Sequence, residues 1–141
     1  MLAWTQYAQD YDEMTVKYRY PDPLYWPDFL QPYVKNSQIW TCPSRTNITY
    51  GYGLNNYNDQ WSLGSYKYPA ETVIIQDSYN RYAYYPGTPV TWDTFLMNSN
   101  DGSTARAPHN DGMDFGFADG HAKWMAAAAA FNSNPSIWER N

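Results

Sequence analysis

Apolar and polar residues alternate along positions 113–124, a pattern typical of two antiparallel strands with one covered face. Asp119-Gly120 interrupts the alternation, and this dipeptide favours a two-residue type I′ turn because both positions then need positive φ. Such a turn predicts that Phe115 pairs with Trp124 and that Phe117 pairs with Ala122. The predicted core face carries Met113, Phe115, Phe117, Ala122 and Trp124. The predicted solvent face carries Asp114, Gly116, Ala118, His121 and Lys123.

A second apolar pattern, with helical spacing, lies at the start of the chain. Trp4, Tyr7 and Tyr11 recur every three or four residues, so residues 1–13 are predicted to form the end of an amphipathic helix. This helix seam is expected to pack on the sheet. Because no residue suited to N-capping precedes Trp4, the helix is expected to continue upstream as an apolar helix.

Prolines and a short apolar run divide the first half of the chain. Residues 14–27 are predicted to form a loop because they contain three prolines. Residues 28–36 are expected to form two helical turns at most, opened by one proline and kinked by another. Residues 72–77 are the clearest predicted strand, since three consecutive β-branched residues begin at Val73.

The remaining segments are predicted from local composition. Residues 49–54 alternate Tyr and Gly and are expected to form a strand, whereas residues 55–64 are Asn-rich and are expected to form a polar loop. Residues 79–94 predict a hairpin around a Pro-Gly pair. Residues 125–131 include five consecutive Ala, which predict a short helix that stops at Asn132.

Length, cysteine usage and charge exclude several classes of protein. A chain of 141 residues fits one domain with its own core. Its single Cys excludes an intrachain disulfide, and Cys42 is expected to be a small buried apolar residue. Asp and Glu outnumber Lys and Arg by 14 to 9, and the sequence has no basic run. No nucleic-acid partner is expected, because phosphate binding needs a cationic patch.

The aromatic content is high, with 15 Tyr and 7 Trp. Such a chain is expected to build its core from rings and to leave many phenols at the surface. Exposed rings serve protein–protein contacts, and they also stack on sugars. Both uses stay open on composition alone.

Sequence motifs of known catalytic sites are missing. The sequence has no G-x-S-x-G elbow, no phosphate-binding Gly loop, no H-E-x-x-H and no paired Cys motif. A general base at His109 beside Asp119 would need a nucleophile in a strained turn, and the sequence supplies none. His109 is therefore expected to be structural, with its ring nitrogens bonded to backbone or carboxylate groups near the hairpin. No enzymatic activity is expected.

Three carboxylates in the same region suggest a metal site. Asp111, Asp114 and Asp119 fall within nine positions, and hard oxygen ligands of this kind hold calcium when backbone carbonyls complete the shell. The alternative is that all three are ordinary solvated turn residues, and the protein then has no cofactor.

The spacing from His109 to Asp119-Gly120 forms a motif in which nine residues separate the His from the Asp, and His121 and Trp124 follow on the return strand. This stretch resembles the prepilin-type processing-associated H-X9-DG family, bacterial proteins related to type IV pilins and type II secretion pseudopilins. Other segments resemble the family in the same order: residues 7–13, 30–36, 40–44, 50–53 and 69–78. The resemblance therefore covers nearly the whole chain.

The resemblance implies an α+β fold, a pilin-like head with an N-terminal helix packed on an antiparallel β-sheet and a C-terminal β-hairpin. Residues 1–13 would be the C-terminal remnant of a long N-terminal helix, and residues 14–141 would be the globular domain. Phe115, Phe117 and Trp124 are expected at its centre. Major pseudopilins of related systems carry calcium in C-terminal loops, although those site residues do not map here by motif.

One departure from the family is large. Family members begin with a short basic leader, a peptidase cleavage site and about twenty apolar residues, and this sequence has no such segment. The resemblance implies export as a membrane-anchored precursor, contact with the membrane only through that missing segment, and a final location at the cell surface or outside the cell.

The expected function is structural. The chain would associate with itself through the missing helix, and with other pilin-like subunits, in a cell-surface pilus or a secretion pseudopilus. The alternative is a secreted carbohydrate-binding module that uses exposed Tyr and Trp.

Overall fold

A computed structural model describes residues 1–19, 23–44, 48–79, 81–84 and 109–132 of the chain. Its helices are α1 (Leu2–Asp10), α2 (Trp26–Leu30) and α3 (Ala127–Asn132). Its strands are β1 (Tyr52–Asn55), β2 (Val73–Asp77), β3 (Tyr82–Tyr84), β4 (Gly112–Phe117) and β5 (Ala122–Ala126). Short 3₁₀ turns lie at Gln31–Tyr33, Ser37–Trp40, Asn56–Asn58, Leu63–Ser65 and Pro69–Glu71.

The described strands form a five-stranded sheet in the order β3-β1-β2-β4-β5. β1, β2, β4 and β5 pair antiparallel, and β3 lies parallel to β1 at one edge. A short N-terminal helix beside a largely antiparallel sheet is an α+β layout, so the prediction of fold class is confirmed at this level.

Local sequence accounts for most of these elements. β2 confirms the strand predicted at residues 72–77. α2 carries Pro27 in its first turn, where the missing N–H costs no helical hydrogen bond, and the Tyr25 N–H donates to the Asp28 carboxylate at 2.8 Å. α3 starts later than predicted, because Met125 and Ala126 pair with β4 as part of β5.

α1 confirms the predicted helix but ends sooner. Asp12 and Glu13 have φ of 52° and 56°, so the backbone leaves the helix after Asp10. Trp4 and Tyr7 are buried, with 1% and 5% of their surface exposed. Tyr11 is 53% exposed and stacks on Tyr7 with ring centroids 4.3 Å apart. The prediction that Tyr11 belongs to the buried seam is wrong, because the helix ends before that residue.

The β4–β5 hairpin is present, but its register differs by one residue from the predicted pairing. Trp124 lies opposite Asp114, and Phe115 lies opposite Lys123. The predicted pair of Phe115 with Trp124 is therefore wrong. A shift of one residue moves every side chain of the second strand to the other face of the sheet.

The cause of the shift is the loop. Ala118, Asp119 and Gly120 form a three-residue connection, in which the Gly120 N–H donates to the Phe117 carbonyl at 2.9 Å and the Phe117 N–H to the His121 carbonyl at 3.0 Å. Within this loop only Gly120 has positive φ, at 94°. This matches a type I turn followed by a left-handed Gly, and the predicted type I′ turn at Asp119-Gly120 is wrong.

Trp124 consequently lies away from the core that it was predicted to share with Phe115. Its indole covers Gly112, where a Cβ atom would overlap the ring, and its Nε1 donates to the His109 carbonyl at 3.1 Å. Trp124 is 48% exposed. The prediction of Trp124 at the centre of the core is wrong.

Both faces of the sheet are covered, so the predicted solvent face is wrong for Gly116 and Ala118, which are buried, although Asp114, His121 and Lys123 are exposed as predicted. Ala122, predicted on the core face, is exposed because of the shift in register. One apolar cluster surrounds α1, and Gly116 of β4 leaves room there for the Met1 side chain, which a Cβ atom would overlap. Ile74 of β2 points into this cluster, on the face opposite to Val73, as the alternation of side chains along a strand requires. The second cluster lies under α3 and consists of Val73, Met113, Phe115, Phe117, Ala127 and Ala130.

The Asn-rich segment at residues 55–64, which was predicted to be a polar loop, contains a buried polar network. Asn55 and Asn58 are fully buried. The Asn55 side-chain amide donates to the Val73 backbone carbonyl at 2.8 Å, and the Tyr66 hydroxyl donates to the side-chain Oδ1 of Asn58 at 2.6 Å. These bonds satisfy polar groups that would otherwise be buried without partners.

The hairpin predicted at residues 79–94 lies mostly outside the described residues, and β3 is the part of it that is described. In the described ranges, no helix is both long and apolar enough to cross a membrane.

Candidate functional site

The site is built around a tight turn that precedes β4. The His109 and Gly112 backbones exchange two hydrogen bonds, N–H to carbonyl, at 3.2 Å and 2.9 Å. The two residues between them, Asn110 and Asp111, have φ of 53° and 58°, the sign that a two-residue type I′ turn requires at both central positions. The turn fixes the position from which the His109 side chain reaches β2.

His109 meets two carboxylates, one from β2 and one from β4. Its Nε2 lies 3.6 Å from Asp77 Oδ2. One ligating atom each from Asp77, His109 and Asp114 lies within 4.8 Å of the other two. Asp77 is buried, His109 is half-buried and Asp114 is exposed, so the cluster connects the sheet interior to solvent. In the described part of the chain, this is the only group of three such ligating side chains.

The two carboxylates are held close by the sheet itself. β2 and β4 pair antiparallel with Gln76 opposite Phe115, so extending this register brings Asp77 opposite Asp114. The Asp114 N–H donates to Asp77 Oδ2 at 2.7 Å, which fixes the buried carboxylate. Like charges on facing positions of a sheet are destabilising unless a cation or a proton compensates them.

The electrostatics of a neighbouring phenol reflect this accumulation of acidic groups. Tyr52 of β1 lies opposite Asp77. Burial raises the pKa of Tyr52, and the nearby acidic groups of Asp77, Cys42 and Asp114 raise it further. The acidic groups of the cluster therefore disfavour a further negative charge on the Tyr52 phenol beside them.

Cys42 also contacts His109, but the geometry is not that of a nucleophile and its base. Cys42 is buried, as predicted, and its Sγ lies 3.8 Å from His109 Nε2. Asp77 approaches this same nitrogen. In a catalytic triad the nucleophile and the carboxylate use opposite ring nitrogens, so that the carboxylate orients the base. At His109, the Cys42 sulfur and the Asp77 carboxylate oxygen both lie near the same nitrogen, Nε2.

The calcium trio predicted from the sequence is not assembled. Asp111 lies in the turn before β4 and Asp119 in the loop after it, so the six residues of β4, roughly 20 Å long, separate them. Asp114 belongs instead to the cluster with Asp77 and His109. The prediction of Asp111, Asp114 and Asp119 as one site is wrong, because an extended strand cannot bring its two ends together.

Asp119 has a different partner. Its Oδ1 lies 2.6 Å from His121 Nδ1 and accepts the His121 N–H at 3.1 Å, while the His121 ring stacks on Phe117 at 4.3 Å between centroids. Partial burial raises the pKa of Asp119, but the hydrogen bonds and charge of His121 outweigh it, so the pKa lies below the ordinary value of 3.8. Asp119 and His121 thus organise the hairpin loop.

Two of the three residues of this cluster, His109 and Asp114, were singled out from the sequence. His109 was expected to bond backbone or carboxylate groups near the hairpin, and its Nε2 lies 3.6 Å from Asp77 Oδ2, next to a carboxylate but beyond hydrogen-bond distance. Asp114 was chosen as a metal ligand, but with the wrong partners. Asp77 was missed, because it was taken only as the end of a buried strand. The available signal was its charge, since a carboxylate that ends a buried apolar run needs a specific partner.

The comparisons with known proteins add no relative. The chain matches no family model, and the comparisons with curated proteins and with solved structures found no match.

Proposed function

We propose that this chain is the globular head of a pilin-like structural subunit, one that assembles in a bacterial cell-surface filament or in a type II secretion-like pseudopilus. The main observation in support of the proposal is the packing of α1 against the sheet. Trp4, Tyr7 and Ala8 bury one face of this helix on the sheet, and the α1 cluster extends to Met1 at the helix start. The resemblance to the H-X9-DG family supplies the rest of the argument.

The motif residues support a structural role at this hairpin. His109 lies in the turn before β4, and Asp119 and Gly120 lie in the loop after it. The nine residues between His109 and Asp119 are thus the two central residues of the turn, the six residues of β4 and the first residue of the loop that follows. A motif that sets the ends of a strand favours architecture over catalysis, and we likewise propose that the protein is not an enzyme.

An apolar surface beside α1 offers a place for neighbouring subunits. Leu2 is 73% exposed and Ile39 is 54% exposed, and both line an open groove of about 1010 Å³ together with Trp40. Large exposed aliphatic residues around one groove favour a protein contact. In the proposed filament, the groove would lie near the apolar helix that the family carries ahead of α1.

The carbohydrate-binding alternative needs rings that are available to sugars. Tyr11, Tyr68 and Trp124 are about half exposed. Tyr11 stacks on Tyr7, and Trp124 covers Gly112 while donating to the His109 carbonyl. Among the described residues, two of these three exposed rings serve packing within the chain, so this alternative has less support than the structural subunit.

The test begins with the coding sequence upstream of Met1 in the native gene. The proposal expects a short basic leader and about twenty apolar residues, enough to span the hydrocarbon core. The full gene, expressed with a prepilin peptidase, should then yield filaments that can be sheared from cells and seen by electron microscopy. A gene with an altered cleavage site is the control and should yield none.

A pair of substitutions in α1 sharpens the experiment. Leu2→Gln in the full-length protein should reduce filament yield, because it makes the exposed groove polar, whereas Gln6→Ala on the same helix should not. An ordinary cleaved secretory signal directly before Met1, or filaments built by the 141-residue chain alone, would contradict the proposal. Saturable binding on a glycan array would favour the carbohydrate-binding module instead.

A further inference from the structure

We propose that Asp77, His109 and Asp114 bind a divalent transition-metal ion of the zinc class, which ties β2, β4 and the turn at residues 109–112 together. The proposal is independent of filament assembly, because each ligand belongs to the globular domain. It replaces the calcium site that the sequence suggested with a different ligand set and a different metal.

The separations fit a coordination sphere of that size. Zinc binds imidazole nitrogen at about 2.0–2.1 Å and carboxylate oxygen at about 2.0–2.2 Å, so neighbouring ligands in a tetrahedron are roughly 3.4 Å apart. His109 Nε2 and Asp77 Oδ2, 3.6 Å apart, already span one such edge. The third ligand would be Asp114, which has a ligating oxygen within 4.8 Å of the other two ligating atoms and an exposed side chain that is free to move closer to the ion.

The donor set selects the metal. Calcium and magnesium take oxygen ligands almost exclusively, whereas imidazole suits zinc and the neighbouring transition metals. Two carboxylates and one imidazole leave a fourth tetrahedral position open, and the exposure of Asp114 places that position toward solvent. A water molecule or a donor atom from a partner would occupy it.

The protein holds Asp77 and the backbone of His109 in place before any ion binds. Asp77 is buried and fixed by the Asp114 N–H, and the paired backbone of His109 and Gly112 fixes the turn. Trp124 adds a further bond to the His109 carbonyl. A divalent ion between the facing carboxylates would also remove the repulsion that their position in the sheet creates.

The experiment uses the tag-free 141-residue protein, stripped with chelator, and zinc chloride as the probe. Titration calorimetry should give one site per chain, and excess zinc should raise the thermal midpoint by about 5 °C, since a ligand of the native state stabilises it. Millimolar calcium should neither raise the midpoint nor compete with zinc. Absence of zinc binding, or displacement of zinc by calcium, would overturn the proposal.

Three variants assign the ligands. Asp114→Asn and His109→Gln should each weaken zinc binding at least tenfold, while Asp111→Asn, an exposed neighbour outside the cluster, should leave it unchanged. Equal losses in the Asp111 and Asp114 variants would overturn the ligand assignment. Near-UV circular dichroism of the metal-free variants should match that of the wild type.

The absorption spectrum of the cobalt-loaded wild-type protein tests the ligand set without any substitution. Wild-type protein loaded with Co²⁺ should show visible absorption typical of four or five ligands, without the near-ultraviolet charge-transfer band of a thiolate. A thiolate band would make Cys42 a ligand and overturn the set of one nitrogen and two oxygens. Cys42→Ser should accordingly keep full zinc affinity.

Discussion

Gly120 is the position where one substitution tests the corrected hairpin most directly. Its φ of 94° lies in the region that residues with a side chain rarely adopt, and a Cβ atom there would stand 2.8 Å from Thr5 Cγ2 of α1. Gly120→Val should therefore destabilise the protein through backbone strain and through overlap with the helix. Thr5 cannot rotate away at no cost, because its hydroxyl donates to the Leu2 carbonyl at 2.8 Å.

The expected loss follows from these two effects. Backbone strain of this kind costs about 1–3 kcal/mol, and overpacking adds about 1 kcal/mol or more, so a total of about 2–4 kcal/mol is expected. For a domain of 141 residues, each kcal/mol lowers the thermal midpoint by about 3–4 °C. The midpoint of Gly120→Val should fall by roughly 6–16 °C.

Differential scanning calorimetry, with urea unfolding alongside it, measures the change. Gly120→Asn separates the two causes, because Asn tolerates positive φ better while placing the same Cβ near Thr5. Gly64→Ala is the matched control. Gly64 does not have positive φ, and its nearest contact would be Ser62 Oγ at 3.8 Å, so this variant should change stability by less than about 1 kcal/mol.

A midpoint for Gly120→Val within 2 °C or so of the wild type would refute the three-residue loop with its left-handed Gly. Equal losses in the Val and Asn variants would assign the cost to the contact with α1 instead of the backbone.

Other predictions follow from burial, register and charge. Trp4→Ala should cost about 3–5 kcal/mol in urea unfolding, whereas Tyr11→Ala, which loses an exposed stack, should cost about 1 kcal/mol or less. Gly112→Ala should destabilise by about 1–3 kcal/mol, and this loss should shrink in a Trp124→Ala background, where no indole covers the position. A double-mutant cycle without coupling would contradict the observed register. Because the folded-state pKa of Asp119 is lowered, the stability it contributes is present above pH 3.8 and is lost as the pH falls through the lower folded value. Asp119→Asn should thus be less stable than the wild type at pH 7, and urea unfolding at low pH should find the difference gone; a gap that persists there would contradict the assignment.

Periodic patterns were sufficient for the elements whose signal is local. The stripe of Trp4 and Tyr7 placed α1, and the β-branched run that begins at Val73 placed β2. Both predictions work because burial of one helix face or one strand leaves a regular spacing of apolar residues. These elements are consistent with the α+β fold class that the resemblance implies, and the structure agrees with that class at the level of its layout.

Register could not be read from the sequence in the same way. Asp119-Gly120 fits a two-residue type I′ turn, and it fits equally well the end of a three-residue loop with Gly in the left-handed region. The type I′ geometry belongs instead to Asn110 and Asp111. Since a slip of one residue reverses the faces of a strand, this single ambiguity placed Trp124 on the wrong side of the sheet.

What the sequence determined by itself is therefore the set of secondary elements around α1, β2 and the hairpin, together with the position of His109 next to that hairpin. Tertiary structure alone decided which carboxylates meet that histidine. Asp77 lies 32 positions before His109 and reaches it only because β2 pairs with β4, whereas Asp111 and Asp119 are near in sequence but lie beyond opposite ends of β4. The physical reason is that local propensity acts over a few residues, while a site depends on the register between strands that are distant in the chain.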